Sequence, residues 1–188
     1  MRTMAIILAA LLTLAAGAAW GATTPEYRIF GGAYIPTGSQ ADMLKSSMLI
    51  GMQGGAELNQ RFHVIGTVAY ATPRTKDRLD AQDVHLYQYD AGAEYFHRFQ
   101  ASQDAHWSIR PFLGAGAGAR TYDIQHSDIK MHTDFTAYGS LGAEFQHANV
   151  AARLEARDYW TRFNGFSGDQ TAKSRYSLVV GGGLAYHF

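Results

Sequence analysis

The sequence predicts an all-β fold: an eight-stranded antiparallel up-and-down transmembrane β-barrel, preceded by a cleaved signal peptide. Three observations carry this. The last stretch, Ser174 to Phe188, alternates throughout. Phe188, Tyr186, Leu184, Gly182, Val180, Leu178 and Tyr176 form one face, and His187, Ala185, Gly183, Gly181, Val179, Ser177 and Arg175 the other. A period of two marks a strand with two different surroundings. Its length exceeds the usual soluble strand of about 5–6 residues and suits a tilted bilayer crossing of about 9–11. Second, seven earlier segments repeat the alternation, joined by connections of alternating length. Third, no apolar run after Ala22 approaches the length of a membrane helix. A chain that crosses lipid without helices must close its sheet, because only closure satisfies every backbone group there.

The N-terminus is a separate element. Met1 to Met4 contains one arginine, Ala5 to Ala16 is apolar apart from Thr13, and Ala19-Trp20-Gly21 places small residues at the two cleavage positions. This reads as a secretory signal peptide over residues 1–21, too short for a membrane anchor. Residues 22–188 form the barrel domain. The 188-residue chain has no cysteine, which excludes disulfides and a lipid-modified N-terminal cysteine. Its net charge of zero argues against a nucleic-acid partner.

The expected strands are Tyr27–Ile35, Ser47–Leu58, Phe62–Thr72, Val84–Phe99, Trp107–Tyr122, Thr133–Gln146, Val150–Phe163 and Ser174–Phe188. Pro36 to Ser46, Pro73 to Asp83, Asp123 to His132 and Asn164 to Lys173 are long polar connections. Asn59-Gln60-Arg61 and Ala148-Asn149 are tight, and Gln100 to His106 is intermediate. Such a barrel sends long loops outside and short turns to the periplasm, so both mature termini are expected in the periplasm.

Most strands sort cleanly into faces. The second sets Met48, Ile50 and Met52 against Gln53 and Glu57; the fourth sets Tyr87, Tyr89 and Tyr95 against Gln88, Asp90 and Glu94. The sixth sets Phe135, Leu141 and Phe145 against Asp134 and Glu144; the seventh sets Val150, Leu154 and Trp160 against Arg153, Glu155 and Arg157. Two strands are mixed: Phe30 and Tyr34 share the face of Arg28, and Phe112 that of Arg110. Alternation alone does not say which face is inside, and a soluble barrel would turn the apolar face inward around a ligand. Aromatics at the strand ends favour the inverted arrangement, since they match interfacial girdles. Tyr186, Phe188, Phe62, Tyr95, Trp107 and Phe145 fall at one end, and Tyr70, Tyr87, Phe135, Trp160 and Tyr176 at the other.

An eight-stranded barrel is just wide enough to be filled by side chains. The polar-face charges are then buried and must be paired. If Ala148-Asn149 is a two-residue turn, Glu144 faces Arg153; if Tyr95 faces Ile109, Glu94 faces Arg110. With Glu155 and Arg157, these residues form the expected lumenal ion pairs. They make either a plug or a gated ion path. The glycines of Gly114, Gly116, Gly118 and Gly181 to Gly183 alternate inside strands, so they read as packing devices, not as a phosphate loop.

No catalytic, cofactor-binding or metal-binding residue is assigned. Asp123, His126, Ser127, Asp128 and His132 share one long loop, but their spacing matches no closed zinc pattern. His85 and His97 lie near opposite ends of one strand and cannot act together.

An Arg-Pro-aromatic-x-Gly-x-Gly strand (Arg110 to Gly116), a Leu-Gly-Ala-Glu strand (Leu141 to Glu144), an Arg-Leu-Glu-Ala-Arg strand (Arg153 to Arg157) and the Tyr186-His187-Phe188 ending complete the pattern. Together with the signal peptide, they resemble the small outer-membrane β-barrel superfamily. That group includes the OmpA transmembrane domain and the OmpX-like, opacity-like and OmpW-like barrels. The resemblance implies the Gram-negative outer membrane, with lipopolysaccharide and lipids as neighbours. It also implies that Tyr186 and Phe188 are the assembly signal read by the barrel-insertion machinery. No peptidoglycan-binding domain of the OmpA kind is expected after Phe188. The His-x-Ser-Asn context of lipid A deacylases is absent, since His126 and Ser127 are adjacent. The expected function is therefore non-enzymatic: envelope structure or surface interaction, with any surface ligand or host receptor left open. The alternative is a narrow passive channel for small or apolar solutes, and a weaker one is a lipid-modifying enzyme.

Overall fold

The computed structural model describes residues 25–76, 82–97, 107–124, 131–163 and 173–187. The expected signal peptide over residues 1–21, His126 to Asp128 and Phe188 lie outside these residues. Eight strands run in chain order: β1 (Pro25–Thr37), β2 (Ser47–Glu57), β3 (Phe62–Ala71), β4 (Val84–Phe96), β5 (Trp107–Ile124), β6 (His132–His147), β7 (Val150–Phe163) and β8 (Lys173–His187). Each pairs antiparallel with the next, and β1 pairs with β8, so the sheet closes into a barrel without an edge.

Turn chemistry sets two of the registers. Asn59 Oδ1 accepts hydrogen bonds from the Arg61 amide (2.9 Å) and the Phe62 amide (3.0 Å), which reverses the chain between β2 and β3. Ala148 adopts φ 51°, and the two-residue turn that it opens sets His147 opposite Val150 and Glu144 opposite Arg153. We call the end holding these turns the turn end, and the opposite end the loop end.

The barrel turns its apolar face outward. Leu141 is 60% exposed while Glu144, on the same strand, is 0%. Ile29, Met52, Leu113, Leu154 and Leu184 are likewise exposed, and Arg28, Asp90, Glu94, Arg110 and Arg153 are buried in the lumen. Alternation with the polar side inward is the inverse of a soluble core. Phe62, Tyr95, Trp107, Phe145 and Tyr186, joined by Tyr27, form an exposed aromatic row at the turn end. Phe135 and Tyr176 are exposed at the loop end, where the tilted rings of Tyr70 and Tyr87 pack at 5.2 Å between centroids.

The mixed strands are explained by the lumen itself. Phe30, Tyr34 and Phe112 all point inward, with Tyr34 and Phe112 buried and Phe30 packed against the buried cluster. The Tyr34 ring lies 5.3 Å from the Arg120 guanidinium, and the Phe112 ring 3.5 Å from that of Arg153. Tyr138 crosses toward β4 and β5, and a Cβ at Gly92 or Gly116 would collide with its side chain, so those glycines form its slot.

An apolar cluster fills much of the loop end of the lumen, beside the buried Arg175 and Asp134. Tyr34, Leu49, Val84, Leu86, Tyr122 and Val179 pack there into one buried cluster. The β1–β2 connection folds over it. Leu44 inserts into the cluster, and Gln40, beside a short 3-10 turn at Gly38–Gln40, donates to the Tyr122 hydroxyl at 3.1 Å. Backbone bonds from Lys45 to Arg74 (2.8 Å) and from Lys76 to Met43 (2.9 Å) tie this cap to the β3–β4 connection.

Candidate functional site: the charged lumen

Below the apolar cap, side chains from all eight strands form one polar network. In its middle layer the Arg157 Nη1 donates to Asp90 Oδ1 (3.0 Å) and to Thr67 Oγ1 (3.0 Å). The Tyr159 hydroxyl donates to Asp90 Oδ2 at 2.9 Å. Arg120 donates to Gln88 Oε1 (2.5 Å) and to Ser177 Oγ (2.8 Å), and its guanidinium lies between the rings of Tyr34 and Tyr159, at 5.3 and 4.8 Å from their centroids. Arg28 donates to Gln53 Oε1 at 2.5 Å and pairs with Glu26.

The turn-end layer holds most of the carboxylates. Glu94 receives both terminal nitrogens of Arg153, one of them at 3.1 Å. The Arg153 guanidinium sits 3.5 Å from the Phe112 centroid, and its Nε reaches Glu155 Oε2 at 3.1 Å. Glu155 also pairs with Arg157, so it bridges the two layers. Glu144 lies among three guanidinium groups: Arg28 at 3.6 Å, Arg110 at 3.7 Å and Arg153 at 4.0 Å. Arg110 reaches Glu57 at 3.4 Å. A buried carboxylate loses its hydration, and close guanidinium groups with aromatic backing replace it.

Of the pairings expected from register, Glu144 does face Arg153, but the two side chains approach only to 4.0 Å. Glu94 and Arg110 are not opposite one another. The β4–β5 ladder sets Tyr95 against Leu113 instead of Ile109, so Glu94 lies opposite Gly114, and Arg110 lies opposite Glu144. A shift of an even number of residues keeps every side chain on its face while changing its partner. Glu94 reaches across the lumen to Arg153 on β7 instead.

Several contributors lay outside the expected set: Glu26, Gln53, His63, Thr67, Gln88 and Tyr159. Their parity gave them away, since each shares a face with an assigned lumenal charge or its ladder partner. His63 is the most informative. Its Nε2 is 3.1 Å from Glu57 Oε1 and 3.1 Å from Arg110 Nη2. That nitrogen can donate to the carboxylate or accept from the guanidinium, but not both.

The network leaves little room. A cavity of about 20 Å³ lies among Arg28, Phe30, Arg153, Glu155, Arg157 and the Gly181–Gly183 backbone. That is space for about one water molecule. Among the described residues, no three histidine or acidic side chains group as metal ligands. His132 pairs with Asp134 at 2.7 Å, and His85 faces outward and bonds to Tyr70.

No protein-family description matches the chain, and no curated protein matches it. Solved structures do. Neisserial surface protein A is 16% identical, with a TM-score of 0.63 over 88% of this chain and 97% of that one. OprG, an outer-membrane protein of Pseudomonas aeruginosa, is 15% identical, with a TM-score of 0.56 over 89% and 98%. Ail, the attachment invasion locus protein of Yersinia pestis, solved with the heparin analogue sucrose octasulfate, is 16% identical, with a TM-score of 0.51 over 88% and 98%. At this identity the likeness is one of fold: the chain is an eight-stranded closed β-barrel that resembles the small outer-membrane barrels.

Proposed function

We propose that the chain is an integral, non-enzymatic outer-membrane barrel that acts as a sealed wall element, contributing to envelope structure and to surface interaction through its loop end. The observation that carries this is the filled lumen: an apolar cap over a buried ion network with a one-water cavity. An exposed apolar belt between two aromatic rows supports insertion, because water would not tolerate so continuous an apolar surface. In this reading residues 1–21 direct export, Tyr186 and Phe188 direct assembly, lipopolysaccharide and other lipids surround the belt, and the loop end faces outward. The test has two arms. A cysteine at Leu141 should react with a lipid-soluble probe and not with a water-soluble one. The reconstituted barrel should give no unitary currents in planar bilayers. Regular current steps would favour a passive channel, and reaction of the cysteine with the aqueous probe would remove the barrel from the bilayer.

A further inference from the structure

A groove of about 570 Å³ opens at the loop end, among Lys45, Ser46, Met48, Thr72, Arg74 and Asp83, with His85 at its edge. Its backbone is tied together. The Lys45 amide donates to the Arg74 carbonyl at 2.8 Å, and the Val84 amide to the Pro73 carbonyl at 2.9 Å. Arg74 also pairs with Asp83 through Nε, at 2.8 Å. That pair uses one of the five guanidinium N–H groups, and the terminal nitrogens carry the other four. Lys45 is exposed and, among the described residues, makes no side-chain hydrogen bond or ion pair. With Asp83 answered by Arg74, the lining carries excess positive charge.

Depth and surroundings say what such a groove meets. Tyr70 lies opposite Ile50 on β2 and Tyr87 on β4, in the loop-end aromatic row. Met48, Thr72 and His85 each stand two residues beyond that row. With strand rise and tilt this is about 5 Å further out, the level of lipid headgroups. Below the groove, β2 turns Met48, Ile50 and Met52 outward, all of them exposed. Cations and hydroxyls therefore stand above an apolar column, with tyrosines at the border. A soluble anion has no use for the column, whereas a lipid with an anionic head fills both parts. Size narrows the head. Small-molecule sites hold about 300–1,000 Å³, so this groove accommodates a sugar ring with its phosphate, and a bare phosphate would leave most of it empty. Guanidinium and ammonium donors suit the phosphate, and the Ser46 and Thr72 hydroxyls suit the sugar.

We propose that this groove binds the phosphorylated sugar of an outer-leaflet glycolipid of the lipopolysaccharide class. Lys45 and the terminal nitrogens of Arg74 donate to the phosphate, and the acyl chains run down over Met48 and Ile50. This rests on the reading that the barrel spans a bilayer with its loop end outward, and the experiment separates the two. The full barrel is reconstituted in phosphatidylcholine vesicles containing equal parts of lipid A with its phosphates, lipid A stripped of phosphate, and phosphatidylglycerol. Flotation records insertion, heat-modifiability on gels records folding, and native mass spectrometry after gentle extraction counts the retained lipid. Phosphorylated lipid A should be retained over both others. Lys45→Gln should reduce that retention by about tenfold, the loss of one charge-assisted hydrogen bond. Ser46→Trp, which places a ring in the groove without changing charge, should do the same. Lys76→Gln, outside the lining, should leave retention unchanged. Equal retention of lipid A with and without phosphate, or full retention by Lys45→Gln, overturns the site while leaving the barrel in the membrane. Equal retention of phosphatidylglycerol, or an equal loss with Lys76→Gln, overturns it in favour of diffuse charge attraction. Dimers that disappear with Lys45→Gln overturn it in favour of self-association. Protein that stays in the aqueous fraction overturns both readings.

Discussion

Glu94 and Arg153 form a two-pronged pairing in the lumen, with two hydrogen bonds between side chains that are each about fully buried. Removing either partner alone leaves a charge in a space without bulk water, and Arg153→Met or Glu94→Gln should each cost about 3–5 kcal/mol of folding stability. The double variant should cost less than the sum, because neither charge is then stranded. The coupling between Glu144 and Arg153 should be weaker: they stand at 4.0 Å, and Glu144 keeps Arg28 and Arg110. Urea unfolding of the three single and two double variants, beside the parent, in detergent micelles measures both couplings. A larger coupling for Glu144 and Arg153 would show that ladder position, not side-chain contact, sets the energetics. The contrast also shows what a sequence can say about such a site. Parity placed all six assigned charges on one face, because it is fixed by the pleat. Partner choice across the lumen depends on barrel radius and strand tilt, which no local pattern records.

At the level of the strand and its turn, the short connections were the legible ones. Ala148-Asn149 leaves one geometry open, and the β6–β7 register follows from it. The β4–β5 connection has no such constraint, and its register differs from the expected one by four residues. The mixed patterns of β1 and β5 had a different cause. An outward-facing rule based on hydrophobicity misplaces aromatics whose rings back guanidinium groups, as Phe112 backs Arg153. Two substitutions test these elements in opposite directions. Ala148 occupies the left-handed region, so Ala148→Gly should stabilise the barrel by about 1 kcal/mol. Gly116→Ala should destabilise it by about 1–3 kcal/mol, since the new methyl meets both the Ala91 carbonyl oxygen and the Tyr138 ring. Heat-modifiability on gels, followed as a function of temperature, reads both; a Gly116→Ala barrel as stable as the parent would mean that the Ala91 backbone and the Tyr138 ring both yield to the methyl without cost.

Over the whole molecule, the lumen is closed twice along one axis. The apolar cluster under Leu44 lies at the loop end, and the ion network fills the middle and the turn end. Two closures in series predict a specific pattern of conductance. Replacing residues 38–44 by a short glycine linker should leave the planar-bilayer current at baseline, because the network remains. Glu144→Ala alone should also stay silent behind the cap. Only the combination should pass ions, and current from either single variant would show that one layer carries the whole barrier. The seam has a further consequence. Glu26 pairs with His187, so the first and last described strands run side by side and their ends meet at the turn end. Topologically the sheet is a ring, and the chain's opening in it is arbitrary. A circular permutant that links His187 to Pro25 through a few flexible residues and opens between Asn59 and Gln60 should refold in micelles to the same barrel. It would do so with β2 and β3 as its terminal strands, and the order of closure would move to a different seam. Refolding that fails only for this permutant would mean that the original seam must be the last to close.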